Sequence, residues 1–525
     1  STKCNLTFLT RVRNILIFFG FFILLSSCSI LNSDLRVRVD SGWLLGSEEN
    51  EVLSFKGIPF AASTEGINRW RPPQKKELWR GTRDAQDYGD FCPQSKRDTL
   101  WFELGKTSED CLSLNVWTPK KTSATKLPVM VWIHGGGYLQ GSGNIPRLNN
   151  PEFVKQDVVL VTINYRLNVF GFFAHPDLVQ QSGDEMVGNY GLMDVIAALE
   201  WIQGNINQFN GDPNNVTVFG ESAGASLISY LMISPQSKDL FHKAISQSSA
   251  VGLAPDTRID KQVGFKISAV DIAKKFTKRM GFESSQGIDQ LRELSSSQII
   301  DQLDPSTVFG PMIDGILIPN HVALLLAQGK QHDVPLIIGG NNWEASLGRQ
   351  IGGGFSPKFI SRLVPKKDKD VLYPGLQGEQ LEDRVFGDLV ILSSARYMAN
   401  QMKNIDSKTY HYHFSYVASE KTGKQPGAAH SDDIAFVMKT LGVELASVTE
   451  KDEEISNLMH NYWVQFARTG DPNVPGQTNW TPYNQDNGSV LEIGDTIILK
   501  KNFLNERINY HINRGINFLQ SMEKR

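Results

Sequence analysis

Cysteine is scarce in this chain: four residues in 525, at positions 4, 28, 92 and 111. Stability must therefore come chiefly from a buried core, and a hydrophobic content of 40% is enough to build a large one and to exclude disorder by composition. A long basic block is also missing. With 53 Lys and Arg against 56 Asp and Glu the formal net charge is -3, which argues against nucleic acid as a partner. There is no internal repeat, no low-complexity tract and no clean linker. Length alone would suggest about three domains, but the informative motifs are spread across most of the chain and favour one large unit.

The apolar run "ILIFFGFFILL", Ile15 to Leu25, is well short of the roughly 20 residues of a spanning helix. Lys3, Arg11 and Arg13 precede it, and no acidic residue occurs before Asp34. A basic start followed by a short apolar run reads as an export signal. The run ends in "LSSC", Leu25 to Cys28, which resembles the lipobox of bacterial lipoproteins, where cleavage precedes a cysteine that is then acylated. This predicts a signal peptide at 1–27, a lipidated tether at 28–34 and a folded domain at 35–525. Ser29 stands where an aspartate would retain a lipoprotein in the inner membrane, so an outer-membrane location is expected. The alternatives are an ordinary signal peptide, with secretion, and an N-terminal membrane anchor. The exported form would hold 50 basic and 56 acidic residues, a net charge of -6. Only Cys92 and Cys111 then remain, an even pair suited to an oxidising compartment.

From about Val37 to Phe60, short alternating apolar runs separated by turn residues predict antiparallel strands. Beyond them, strands are expected at Leu127–Ile133, Val158–Tyr165, Val216–Phe219, Ala244–Gln247, Val334–Gly339 and Tyr410–Tyr416. Leu192–Ile206 has helical spacing. Strands alternating with helices imply an α/β fold whose mostly parallel central sheet is covered by helices. Two stretches richer in helical signals, about 255–305 and 357–408, are expected as helical insertions over the active site.

The strand "VTVF" runs into Gly220, Glu221, Ser222, Ala223 and Gly224, and a helix-like stretch follows at once. Alone, G-x-S-x-G is weak. Between a buried strand and a helix it has the context of a nucleophile elbow, whose serine needs a histidine to take its proton and a carboxylate to orient that histidine. Upstream, the strand "VMVWI" enters His134-Gly-Gly-Gly-Tyr138. Successive glycines can turn the backbone so that its amides converge on an oxyanion, and the loop lacks the lysine of a phosphate-binding loop.

Together these motifs are similar to those of the type-B carboxylesterase and cholinesterase family of α/β-hydrolases, over about residues 35 to 515. The most specific are "EDCLSLNVW" at Glu109–Trp117 and "FNGDPNNVTVFGESAG" at Phe209–Gly224. "NYRLNVFGF" at Asn164, "GNYGLMD" at Gly188, "PMIDG" at Pro311 and "FARTGDPN" at Phe466 add to them. The resemblance implies a serine hydrolase that cleaves carboxylic esters through an acyl-enzyme, with no cofactor or metal and a small-molecule ester as substrate. It implies Ser222 as nucleophile, Gly136, Gly137 and Ala223 as oxyanion donors, Glu344 as the acid and His430, in "GAAH", as the base. The chain order Ser, Glu, His is the one expected of this fold. The acid loop departs from the family's usual D-E-G and reads Trp343-Glu344-Ala345, which leaves Asp314 as a competing acid.

The same resemblance places Glu221 and Ser248 around the site, with Ser248 near the acid. It pairs Arg69 with Glu109 and Arg166 with Asp194, and joins Cys92 to Cys111 in a disulfide at the mouth. Trp101 lies at the offset of the choline-binding tryptophan of cholinesterases. Activity is expected to rise through roughly pH 6 to 7 as His430 loses its proton. Alternatives are a lipid-acting hydrolase and a non-catalytic, cholinesterase-like binding protein.

Overall fold

Residues 35–96, 102–148, 151–183, 186–304 and 307–523 are described by the computed structural model. Their strands, in chain order, begin with β1 (Arg36–Val39), β2 (Gly42–Leu45), β3 (Ser47–Glu49), β4 (Val52–Pro59) and β5 (Thr82–Asp84). Next come β6 (Ser113–Pro119), β7 (Leu127–Ile133), β8 (Val159–Ile163), β9 (Gly211–Glu221) and β10 (Lys243–Gln247). The last are β11 (Thr257–Arg258), β12 (Met312–Ile313), β13 (Leu336–Asn341), β14 (Thr409–Phe414), β15 (Val490–Ile493) and β16 (Ile497–Lys500).

Eleven of these strands form one sheet in the order β3-β4-β6-β8-β7-β9-β10-β13-β14-β15-β16. The run from β8 to β15 is parallel, and the strands on either side of it pair antiparallel. Alternation along each strand splits the core in two. On β7, Val129, Val131 and Ile133 join one apolar cluster while Met130 and Trp132 join the other. Helices Tyr190–Asn205 and Ala223–Ile233 fill the first face, and Glu450–Thr469 the second. This is the α/β-hydrolase arrangement that the sequence predicts.

The six expected strands are all present, and the expected helix is Tyr190–Asn205. Three strands of the large sheet, β6, β15 and β16, and the short β5, β11 and β12 were not expected. The β6 segment, "SLNVWTP", is buried at six of its seven positions and so carries little alternation to read. Both helix-rich stretches hold helices, and the second packs beside the acid loop: Phe386, from helix Gly378–Gly387, clusters with Ala345 and Ile360. A small separate sheet, β1-β2-β5, lies where the described chain begins.

Candidate active site

Ser222 stands between β9 and the helix that begins at Ala223, with φ 57° and ψ -121°. A non-glycine residue there is held against its own preference. The flanking glycines explain how the turn is so sharp. A Cβ on Gly220 would lie 2.5 Å from the carbonyl oxygen of Ile133, and one on Gly224 would collide with that same oxygen. Only glycine lets the helix cross β7 this closely. The Ser222 amide donates to Gln247 O at 2.9 Å, which fixes the elbow to β10.

The glycine loop passes directly over this elbow, since a Cβ on Gly135 would be 3.1 Å from that of Ser222. Gly136 and Gly137 have φ of 106° and 63°. The Gly136 carbonyl is turned into its own loop, where the Leu139 and Gln140 amides donate to it. Among the described residues no acceptor engages the amides of Gly136 and Gly137, and the Ala223 amide is in the first turn of a helix, where it has no intrahelical partner. The far end of the loop is clamped by Gln94, whose side chain donates to Gly141 O and accepts from Gly141 N, both at 2.9 Å. Gln94 lies two residues after Cys92, which is bonded to Cys111. The disulfide therefore anchors the segment that holds the glycine loop, a link that sequence motifs did not reveal. His134 is buried against Tyr165, and burial lowers its pKa to about 4. It stays neutral and structural.

Glu344 and His430 are brought together from loops after β13 and β14. Glu344 Oε2 is 2.5 Å from His430 Nδ1. Its Oε1 accepts from Ser248 Oγ and from the Asn341 amide, both at 2.6 Å, so the fully buried carboxylate has a partner for each oxygen. The departure at Trp343 and Ala345 leaves this geometry intact for visible reasons. Ala345 simply starts helix Ala345–Ile351, and the Trp343 indole donates to Asp383 at 2.8 Å. The two loops are then stitched together: Trp343 N to Ala428 O, Asn341 Nδ2 to Ala429 O and His430 N to Ser346 Oγ. Asp314 is committed elsewhere, accepting from the amides of Ile316, Leu317 and Ile318.

On its other side the imidazole meets Glu221. His430 Nε2 is 3.1 Å from Glu221 Oε1, which also accepts from Ser431 Oγ at 2.8 Å. Burial raises the Glu221 pKa to about 7, against the attraction of His430. His430 itself is raised to about 9, because Glu221 and Glu344 together outweigh the burial that would lower it. A base held between two carboxylates loses its proton at higher pH than a free imidazole, which shifts the predicted rise in activity above pH 6 to 7. A third carboxylate, Asp433, lies behind, buried, with its pKa raised by that burial and with Gln247, Asn341 and Tyr412 as donors. Neither Asp433, Ser346 nor Ser431 was singled out from sequence, although all lie within three residues of His430 or Glu344.

The remaining expected pairs form. Arg69 grips Glu109 at 2.7 and 2.5 Å, and Arg166 holds Asp194 through two contacts of 2.8 Å, both pairs buried. His411 and His413 are buried on β14 with lowered pKa values, and His175 caps helix Pro176–Gln181. Cys28, the proposed signal and tether, and Trp101 lie outside the described residues.

Comparison with known proteins gives this geometry its family. The profile of the carboxylesterase family matches residues 33–358 and 377–511. The chain belongs to the carboxylesterase family. It is 32% identical over 471 residues to the fumonisin B1 esterase of Sphingopyxis macrogoltabida, covering 86% of this chain and 84% of that one. It is 31% identical to the para-nitrobenzyl esterase of Bacillus subtilis, covering 88% and 96%. Among solved structures, a PNB esterase superposes with a TM-score of 0.79 at 29% identity over 91% of this chain and 99% of that one. A carboxylesterase of Geobacillus stearothermophilus gives 0.78 at 28% identity, covering 90% and 99%. As a member of this family the chain is a serine hydrolase of carboxylic esters.

Proposed function

We propose that ester cleavage proceeds in two steps on Ser222. His430 Nε2 takes the Ser222 hydroxyl proton as the oxygen adds to the ester carbonyl. The amides of Gly136, Gly137 and Ala223 hold the resulting oxyanion, and Glu344 keeps Nδ1 protonated and the ring oriented. Collapse breaks the bond to the alcohol, which leaves with the proton from Nε2. Water then gives its proton to Nε2 and adds to the acyl-serine, and collapse releases the acid and restores Ser222. The observation that carries this reading is the short Glu344–His430 contact, together with the 3.1 Å approach of Nε2 to Glu221, the residue before Ser222. A non-catalytic binding role is disfavoured because each of these positions holds a residue competent for its part. The direct check is turnover of a short-chain chromogenic ester: Ser222→Ala should lose activity on the order of 10⁶-fold with the fold intact, and near-normal turnover would overturn the assignment.

Export and lipidation at Cys28 complete the proposal. They are supported by the basic start, the short apolar run and the "LSSC" sequence. The enzyme would then act on small esters while tethered to the outer membrane.

A further inference from the structure

The three-stranded sheet β1-β2-β5 buries one face, through Val39 and Leu44, and turns the other outward. Pairing sets Arg36 opposite Leu45 and Arg38 opposite Trp43, while Trp43 faces Thr82 on β5. Arg36, Arg38 and Trp43 therefore share the outer face. The Arg36 guanidinium lies 5.0 Å from the centre of the Trp43 ring, and that of Arg38 at 5.9 Å. Arg36 also donates to Thr82 at 2.7 Å, which fixes it across the indole. On β5, Arg83 stands opposite Leu44, on the other face, 5.7 Å from the Trp79 ring, and Trp79 donates to Trp43 O. Arg80 is exposed and Leu78 is 76% exposed. Among the described residues none of Arg36, Arg38, Arg80 and Arg83 is ion-paired. The outer face also carries one acidic residue, Asp84, opposite Leu45, whose carboxylate accepts from the Gln86 amide, while Asp40, just after β1, accepts from Asn205.

Such a face is unusual on an exported form with a net charge of -6. Guanidinium groups bind phosphate oxygens in a fork, and tryptophan favours the headgroup depth of a bilayer. Its place in the chain identifies the partner. β1 begins at Arg36, and the seven residues from Cys28 to Asp34 can span at most about 24 Å. A lipid on Cys28 would keep this sheet within that distance of the membrane.

We propose that the outer face of β1-β2-β5 docks on the anionic headgroups of the bilayer that holds the Cys28 anchor, with Arg36 and Arg38 on lipid phosphates and Trp43 among the headgroups. The proposal rests on the anchor reading and adds to it an orientation: the enzyme lies on one defined face rather than swinging from its tether.

The test reconstitutes the full processed chain into vesicles of brominated phosphatidylcholine, with and without phosphatidylglycerol. Flotation reports anchoring. The part of tryptophan quenching that disappears in Trp43→Phe reports docking. Trp43-dependent quenching is expected in the anionic vesicles and should be lost in high salt. Arg36→Gln with Arg38→Gln should lower the ratio of docked to undocked enzyme roughly twenty-five-fold, at about fivefold per basic residue, while flotation and hydrolysis of a soluble ester are unchanged. A chain that floats with both vesicle types but shows no Trp43-dependent quenching overturns the docking and leaves the anchor standing. A chain that floats with neither overturns both. Flotation only with anionic vesicles, abolished by the double substitution, supports the docking and overturns the anchor. A dimer in lipid-free detergent that Trp43→Phe dissociates would assign the face to a second copy and overturn the proposal.

Discussion

Replacing Glu221 by Gln should move the ascending limb of the pH–activity profile to lower pH. In the proposed mechanism His430 must be neutral to accept the Ser222 proton, so kcat/KM rises as pH passes through its pKa. Glu221 Oε1 is 3.1 Å from His430 Nε2. Full opposite charges at that separation attract by about 5 kcal/mol at an effective dielectric constant near 20, equivalent to nearly 4 pH units. That is an upper bound, because burial raises Glu221 itself to about 7 and it is only partly ionised near neutrality. A downward displacement of about 1 to 2 pH units is the reasonable expectation. Glutamine keeps the size of the side chain and an oxygen for Ser431, so the elbow should be undisturbed. The assay is the pH profile of kcat/KM for an uncharged ester from pH 5.5 to 10, variant beside parent. Removal of an anion favours neutral His430, so the limb must move down. A limb that stays within a few tenths of a pH unit, or moves up, would refute the argument that Glu221 tunes the base.

Glu344→Gln should reduce ester cleavage by several orders of magnitude, because an amide no longer favours the protonated Nδ1. A variant with most of its activity would mean that the acid lies elsewhere. Cys92→Ser with Cys111→Ser should cost about 3 kcal/mol of stability by freeing the loop in the unfolded chain, read from denaturant midpoints. It should also lower kcat by loosening Gln94 on Gly141. Asp194→Asn should destabilise the fold by roughly 3 to 5 kcal/mol, because Arg166 would stay buried without its counter-charge. A shift below 1 kcal/mol in chemical denaturation would contradict that. Cys28→Ser should leave an unprocessed precursor held by its apolar segment, whereas an unchanged soluble product in the medium would point to an ordinary signal peptide.

What was legible in the sequence followed from how locally each feature is encoded. Ser222 could be read because strand, turn and helix are contiguous, and the two glycines are required by a single crossing over Ile133. The β7 and β14 strands were legible as compact apolar or alternating runs. His430 and Glu344 were harder, since 86 residues separate them and only the family's chain order joined them. Trp343 and Ala345 looked like a disruption of the acid loop because the compensation comes from Asp383, forty residues away in the chain. Glu221 could be placed near the site but not valued, since its influence depends on the 3.1 Å approach to His430 and on burial. The clamp of Gln94 on Gly141 carries no pattern at all, as it joins side chain to backbone between two distant loops.

Formation of an acyl-enzyme on Ser222 is the step on which the proposed mechanism depends. An organophosphate that transfers its phosphoryl group to an activated serine should inactivate the enzyme with one adduct per chain, and peptide mass spectrometry should place that adduct on Ser222. Ser222→Ala should take up no label and show no esterase activity. An adduct on any other serine of the active parent, or hydrolysis that survives in Ser222→Ala, would contradict the assignment.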